Sequence, residues 1–121
     1  MKRIRLSEIK PTEVTTPLFT GGTVTRQTIV DAEMGRSFTS ALINFAPQAR
    51  NKSHSHTGDQ ILIVTEGRGI VATDGEEITV GAGEIVFIPA GEKHWHGATK
   101  DTGFSHISIQ AKGSRTSQLE E

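Results

Sequence analysis

Glycine and proline interrupt this chain so often that no stretch is left in which a long helix could form. Through the middle of the sequence they fall at Gly58, Gly67, Gly69, Gly75, Gly81, Gly83, Pro89, Gly91, Gly97 and Gly103. The segments between them are short and rich in valine, isoleucine and threonine, the composition of strands. Convincing helical periodicity is missing. The pattern predicts strands over 23–30, 37–45, 60–65, 70–73, 77–80, 84–88, 94–98 and 104–110. Asp74-Gly75 is a strong two-residue hairpin signal between the fourth and fifth of these. Gly67 and Gly69 read as a turn, Gln48–Ser53 as a polar loop, and Ala111–Glu121 as a frayed or loosely docked tail. Gln60–Thr65 is apolar on both faces, so it is expected between two layers. About eight short strands at this spacing indicate an all-β, antiparallel sandwich or barrel.

At 121 residues the chain fits a single domain over 1–121, with a barrel core at about 18–110. Thirteen basic residues against fourteen acidic ones give a net charge of −1, so nothing in the charge balance favours nucleic acid or an acidic membrane as a partner. There is no cysteine, which removes disulfides, thiolate ligands and cysteine nucleophiles, and no tyrosine to act as an acid or base. The start MKRIRLSEIKP is basic but runs into no apolar stretch of signal-peptide length, so the expected compartment is the cytoplasm. Exposed edge strands of a small barrel offer a route to a homo-oligomer, a dimer or a tetramer.

Chemistry concentrates in five histidines, His54, His56, His94, His96 and His106. Four of them form two His-x-His pairs, where chance placement would give roughly 0.2 pairs. In a strand, residues i and i+2 face the same way, so each pair can aim two imidazoles at one point. That is the geometry a metal ion needs. Four residues after His56, Gln60 offers a neutral oxygen at the mouth of an apolar strand, and Pro89-Ala-Gly91 makes a turn that delivers His94.

The first segment, His54-x-His56-x3-Gln60-x6-Gly67, resembles the first cupin motif, and Gly83-x5-Pro89-x-Gly91-x2-His94 resembles the second. Three positions depart from the general pattern. Gln60 stands where many cupins have Glu, Gln48 where the first motif opens with Gly, and Ala98 where the second often ends in Asn. The resemblance implies a double-stranded β-helix, or jelly-roll barrel, holding one divalent metal on His54, His56, Gln60 and His94. A neutral Gln leaves the full charge on the ion, which suits polarisation of a substrate oxygen.

Gly91-Glu-Lys-His94-Trp-His96-Gly-Ala98 and Ser105-His106-Ile-Ser-Ile-Gln110 resemble a narrower group that includes the bacterial cupin-type hydroxynitrile lyases. That likeness implies manganese as the metal (iron, zinc and nickel being the alternatives), and His96, His106 and Gln110 as catalytic residues. It also implies Ala41 and Ile43 in a substrate pocket. The reaction it implies is reversible cleavage of a small-molecule cyanohydrin to an aldehyde or ketone plus cyanide. Strand parity agrees independently. His106, Ser108 and Gln110 share one face of 104–110, His96 shares a face with His94, and Ala41, Ile43 and Phe45 share a face of 37–45. Trp95 has the opposite parity and is expected to pack. Two other functions fit the ligand set: a cupin metal-dependent oxygenase, and a non-catalytic cupin that binds a small molecule.

Overall fold

The computed structural model describes residues 1–121. After a single 3-10 turn at Leu6–Glu8 the chain is all strand: β1 (Thr12–Glu13), β2 (Phe19–Thr20), β3 (Val24–Val30), β4 (Phe38–Phe45), β5 (Arg50–Asn51), β6 (His54–His56), β7 (Gln60–Thr73), β8 (Glu77–Gly81), β9 (Ile85–Ile88), β10 (His94–Ala98), β11 (Phe104–Ala111) and β12 (Thr116–Gln118). Every pairing is antiparallel. One layer runs β1-β3-β4-β11-β7-β9, and the other β8-β7-β10-β5-β2 with β6 and β12 along its rim. The strand β7 belongs to both.

That double membership corrects the expectation of a turn at Gly67 and Gly69. The chain does not reverse there. Residues 60–67 pair with β9 and β11, and residues 68–73 with β8 and β10. Between the halves the register slips by one residue opposite Ser105 and His106. Thr65 is the extra residue, and its hydroxyl donates to the Ser105 carbonyl at 3.2 Å. A bulge of this kind sharpens the twist and lets one strand pass from sheet to sheet. Gly67 takes a φ of +72°, and a Cβ there would lie 1.8 Å from the Gly103 carbonyl oxygen. Only glycine fits that bend.

Three further expectations change. The loop at 48–53 contains β5, which pairs with both β2 and β10. The tail is docked: β12 pairs with β6 in register, Thr116 opposite His56 and Gln118 opposite His54. The sheets therefore run from Thr12 to Gln118, past both ends of the expected barrel. Finally, the first half of β7, the stretch expected between two layers, is covered on one side only. Leu62 and Val64 are buried, whereas Ile61 on the opposite face is 37% exposed.

The core lies between the layers, where Val24, Ile43, Phe45, Leu62, Val64, Val71, Val80, Ile88 and Phe104 form one cluster. Its polar counterpart is unusual. All five histidines are buried, together with Asn51, Gln60, Ser105 and Ser108. Such groups are costly to bury without partners, so their placement demands a reason. No helix of the structure is long and apolar enough to cross a membrane.

Candidate metal centre and active site

His54 and His94 face each other as a register pair between β6 and β10, and His56 follows two residues along β6. Their rings converge, with centroids 4.3 Å apart for His54–His94, 4.8 Å for His54–His56 and 5.4 Å for His56–His94. One nitrogen from each lies within 4.8 Å of the others. The outer nitrogens are committed elsewhere. His54 Nδ1–H donates to the Lys52 carbonyl at 2.6 Å and His94 Nδ1–H to the Glu92 carbonyl at 2.9 Å. His56 Nδ1 is 3.0 Å from the Thr116 hydroxyl. At His54 and His94 the carbonyl partner makes Nδ1 the donor, so Nε2 presents a lone pair inward, the tautomer a metal ligand requires; the Thr116 hydroxyl can accept from His56 Nδ1–H in the same tautomer.

Gln60 is oriented in the same sense. Its Nε2 donates to Ser108 Oγ at 2.9 Å, which leaves Oε1 pointing away from that contact. Gln60 Oε1, His56 Nε2 and His94 Nε2 are buried acceptors with no partner in the chain. Three orphaned acceptors beside one another are an energetic liability unless a cation joins them. A divalent ion with N and O ligands fits this donor set; the set does not select which ion.

A second pair of imidazoles stands beside the first set. His96 and His106 have ring centroids 4.9 Å apart in an edge-to-face arrangement, and the His96 ring is 5.8 Å from His94. Asn51 holds His96 twice. Its Oδ1 accepts the His96 backbone N–H at 2.8 Å, and its Nδ2 lies 3.1 Å from His96 Nε2. His106 is fully buried and neither ring nitrogen has a partner. It is walled by Phe45 and Phe104, at 5.7 and 5.3 Å between centroids.

These groups open onto a cavity of about 310 Å³. Ala41, Ile43, Phe45, His54, His56, Gln60, His96, His106, Ser108 and Gln110 all contribute to its wall, so Ala41 and Ile43, which the resemblance implied for a pocket, and Gln110, which strand parity set beside His106, line one cavity. His94 is outside that wall, 1% exposed, and joins the cluster through its ring contacts. Trp95 takes no part, lying instead 4.4 Å under the Arg50 guanidinium. Two contributors, Asn51 and Thr116, have no signature in the sequence, because each acts on a histidine 45 or 60 residues away.

Burial is the main electrostatic influence on the histidines. It pushes His54 and His56 down to about 4 and His106 to about 3, and it lowers His94 as well. His96 is held well below the usual histidine value by burial, then by the imidazoles around it. All five are neutral at pH 7, which metal ligation and proton acceptance both require.

Known proteins resemble this chain in sequence and in fold. The cupin domain family matches residues 41–109. An (R)-mandelonitrile lyase from Granulicella tundricola is 36% identical over 73 residues, 60% of this chain; the match spans 56% of that protein's length. A cupin-like protein from Thermotoga maritima superposes with a TM-score of 0.85 at 33% identity, over 91% of this chain and 85% of its own. The polyketide cyclase RemF from Streptomyces resistomycificus shares the fold, with a TM-score of 0.84 at 24% identity over 100% of this chain and 88% of its own. Buried His-x-His pairs on facing strands, a doubly shared central strand and these matches lead to one conclusion: the chain belongs to the cupin family.

Proposed function

We propose that this protein is a metal-dependent lyase of the hydroxynitrile type, cleaving a small cyanohydrin reversibly to a carbonyl compound and cyanide. The observation that carries this reading is the pairing of two sites in one cavity. A neutral three-histidine-plus-glutamine set stands next to a second, non-ligating imidazole pair, His96 and His106. The 36% identical mandelonitrile lyase supports the same reaction.

A divalent ion held by His54, His56, Gln60 and His94, manganese in this proposal, supplies Lewis acidity toward a substrate oxygen when bound. The protein's own residues do the rest. Ala41, Ile43 and Phe45 form an apolar wall that holds the substrate's side group and excludes water. His106 is neutral, and its free ring nitrogen accepts the hydroxyl proton. The O–H electron pair becomes the carbonyl π bond as the C–C bond to the nitrile breaks, and that bond's electrons leave as cyanide. Burial disfavours a charged His106, so the captured proton passes readily to the departing anion. Asn51 fixes His96 beside this exchange, where the imidazole orients the leaving group. Gln110, half-buried in the wall, orients the substrate through its amide.

The test is cyanide and benzaldehyde release from mandelonitrile at mildly acidic pH, on manganese-loaded and chelator-stripped protein. The expected result is release that requires metal and falls at least about 100-fold in His96→Ala and His106→Ala. No release from protein shown to hold stoichiometric metal would reject the lyase reading and leave the metal centre in place.

A further inference from the structure

The three imidazoles of the metal centre are not held in the same way. His54 and His94 each donate Nδ1–H to a carbonyl two residues earlier in the chain, at Lys52 and Glu92, just ahead of their strands. Those bonds form wherever the local backbone forms. His56 has no such local partner. Its Nδ1 pairs with the hydroxyl of Thr116, 60 residues away, on the short edge strand β12. Thr116 also borders the cavity beside His56.

The segment carrying Thr116 is attached at several points. Arg115 N–H donates to Thr57 Oγ1 at 2.9 Å, and Thr57 N–H donates to the Arg115 carbonyl at 3.0 Å. Past Gln118, Leu119 N–H donates to the Ser53 carbonyl at 2.8 Å. Glu120 closes the segment: its carboxylate accepts the Ser53 backbone N–H at 2.9 Å and pairs with Arg50, whose guanidinium lies over Trp95. The Ser53 and Arg50 contacts hold the Glu120 carboxyl below its ordinary value. Every one of these contacts is made to residues 50–57, the segment that carries His54 and His56. None is made to the main body of either sheet.

We propose that this C-terminal strap is a working part of the metal centre, with Thr116 as the positioning residue that sets the tautomer and aim of His56. A hydroxyl that accepts from Nδ1–H keeps the Nε2 lone pair turned toward the ion, and outer partners of this kind typically contribute 10–100-fold in metal affinity. Coupling of this sort is reciprocal. If docking of the strap favours the metal, the metal favours docking by the same factor. The proposal concerns the metal centre alone and stands whether or not the chain cleaves cyanohydrins.

The experiment measures Mn²⁺ binding by competition with a chromophoric chelator on the full chain. Thr116→Val removes the hydroxyl and keeps the shape, and is expected to weaken binding about tenfold. Thr116→Ser restores the hydroxyl and is expected to return affinity to within about twofold. Equal affinity in wild type and Thr116→Val would overturn the proposal. So would a loss in Thr116→Val that Thr116→Ser does not recover, since packing and not the hydroxyl would then be responsible. Hydrogen exchange on the unmutated protein gives an independent reading that needs no variant to fold. Mn²⁺ is expected to slow exchange of the amides of residues 116–119, and unchanged exchange there would also overturn the coupling.

Discussion

At the scale of single residues, the five histidines set how the protein responds to pH. The unfolded chain protonates an ordinary histidine near 6.5, while folding holds His54 and His56 at about 4 and His106 at about 3. Below 6.5 the unfolded state therefore takes up protons that the native state refuses, and stability falls with falling pH. The loss begins near pH 6.5 and ends only below about 3, where both states are protonated. Chelator-stripped protein is expected to show a Tm that is level from pH 8 to 7 and drops steadily from 6.5 to 4.5. A level Tm across the lower range would mean that the imidazoles are not neutral and buried. Much of this was readable in advance. Two His-x-His pairs in strands must converge, and alternation along 104–110 put His106 and Gln110 on the cavity side. Asn51 and Thr116 were not readable, because a hydrogen bond between strands distant in sequence leaves no spacing to detect. Gln48 illustrates the converse. It stands where the cupin motif opens with glycine, and it adopts the φ of +72° that such a glycine would take.

Among the elements, β10 and β5 approach each other very closely at Gly97. A Cβ on Gly97 would lie 2.3 Å from Arg50 Cβ and 2.5 Å from the Ala49 carbonyl oxygen. Ala98 N–H donates to that same carbonyl at 2.8 Å, so the obstruction is backbone that cannot step aside. Gly97→Ala is expected to cost about 2–3 kcal/mol in urea denaturation and to push Asn51 away from His96. A loss under about 0.5 kcal/mol would show that the two strands can separate freely. The strand boundaries at 23–30, 37–45, 94–98 and 104–110 were legible to within a residue, with Gly22, Pro47 and Gly103 close to one end of three of them. The break inside β7 was misread for a physical reason. Gly-x-Gly serves a hairpin and a bulged bend equally well, and only the partner strands decide between them. The tail was left open between frayed and loosely docked because β12 is polar throughout; backbone pairing and Thr116 hold it, and neither has a hydrophobic pattern.

For the whole molecule, the outer face of the β9-β7-β11 layer is the feature left without a role. Phe87, Ile61 and Ile109 form one cross-strand row, and Ile85, Ile63 and Ile107 the next. Ile85 is 65% exposed and Phe87 59%. Contiguous apolar rows facing water mark association surfaces. Packing of this face against a second copy is expected, so light scattering should give at least twice the 13.1 kDa chain mass, and Phe87→Lys should return it to one chain. A wild-type mass of one chain would refute this.

The sharing of β7 between both sheets also governs how the chain comes into being. Its first half waits for β9 and β11, its second for β8 and β10, and all four are made after it. Likewise β4 has only β3 beside it until β11 is synthesised. A ribosome that has finished the apolar strand Gln60–Thr73 has therefore produced nothing for it to pair with. The barrel closes only when residues up to Ala111 have emerged. Nascent chains arrested before Phe104 are expected to be cut readily by protease and held by chaperones, while released full-length chains resist. Protection appearing before β11 has emerged would show that half a barrel can stand alone.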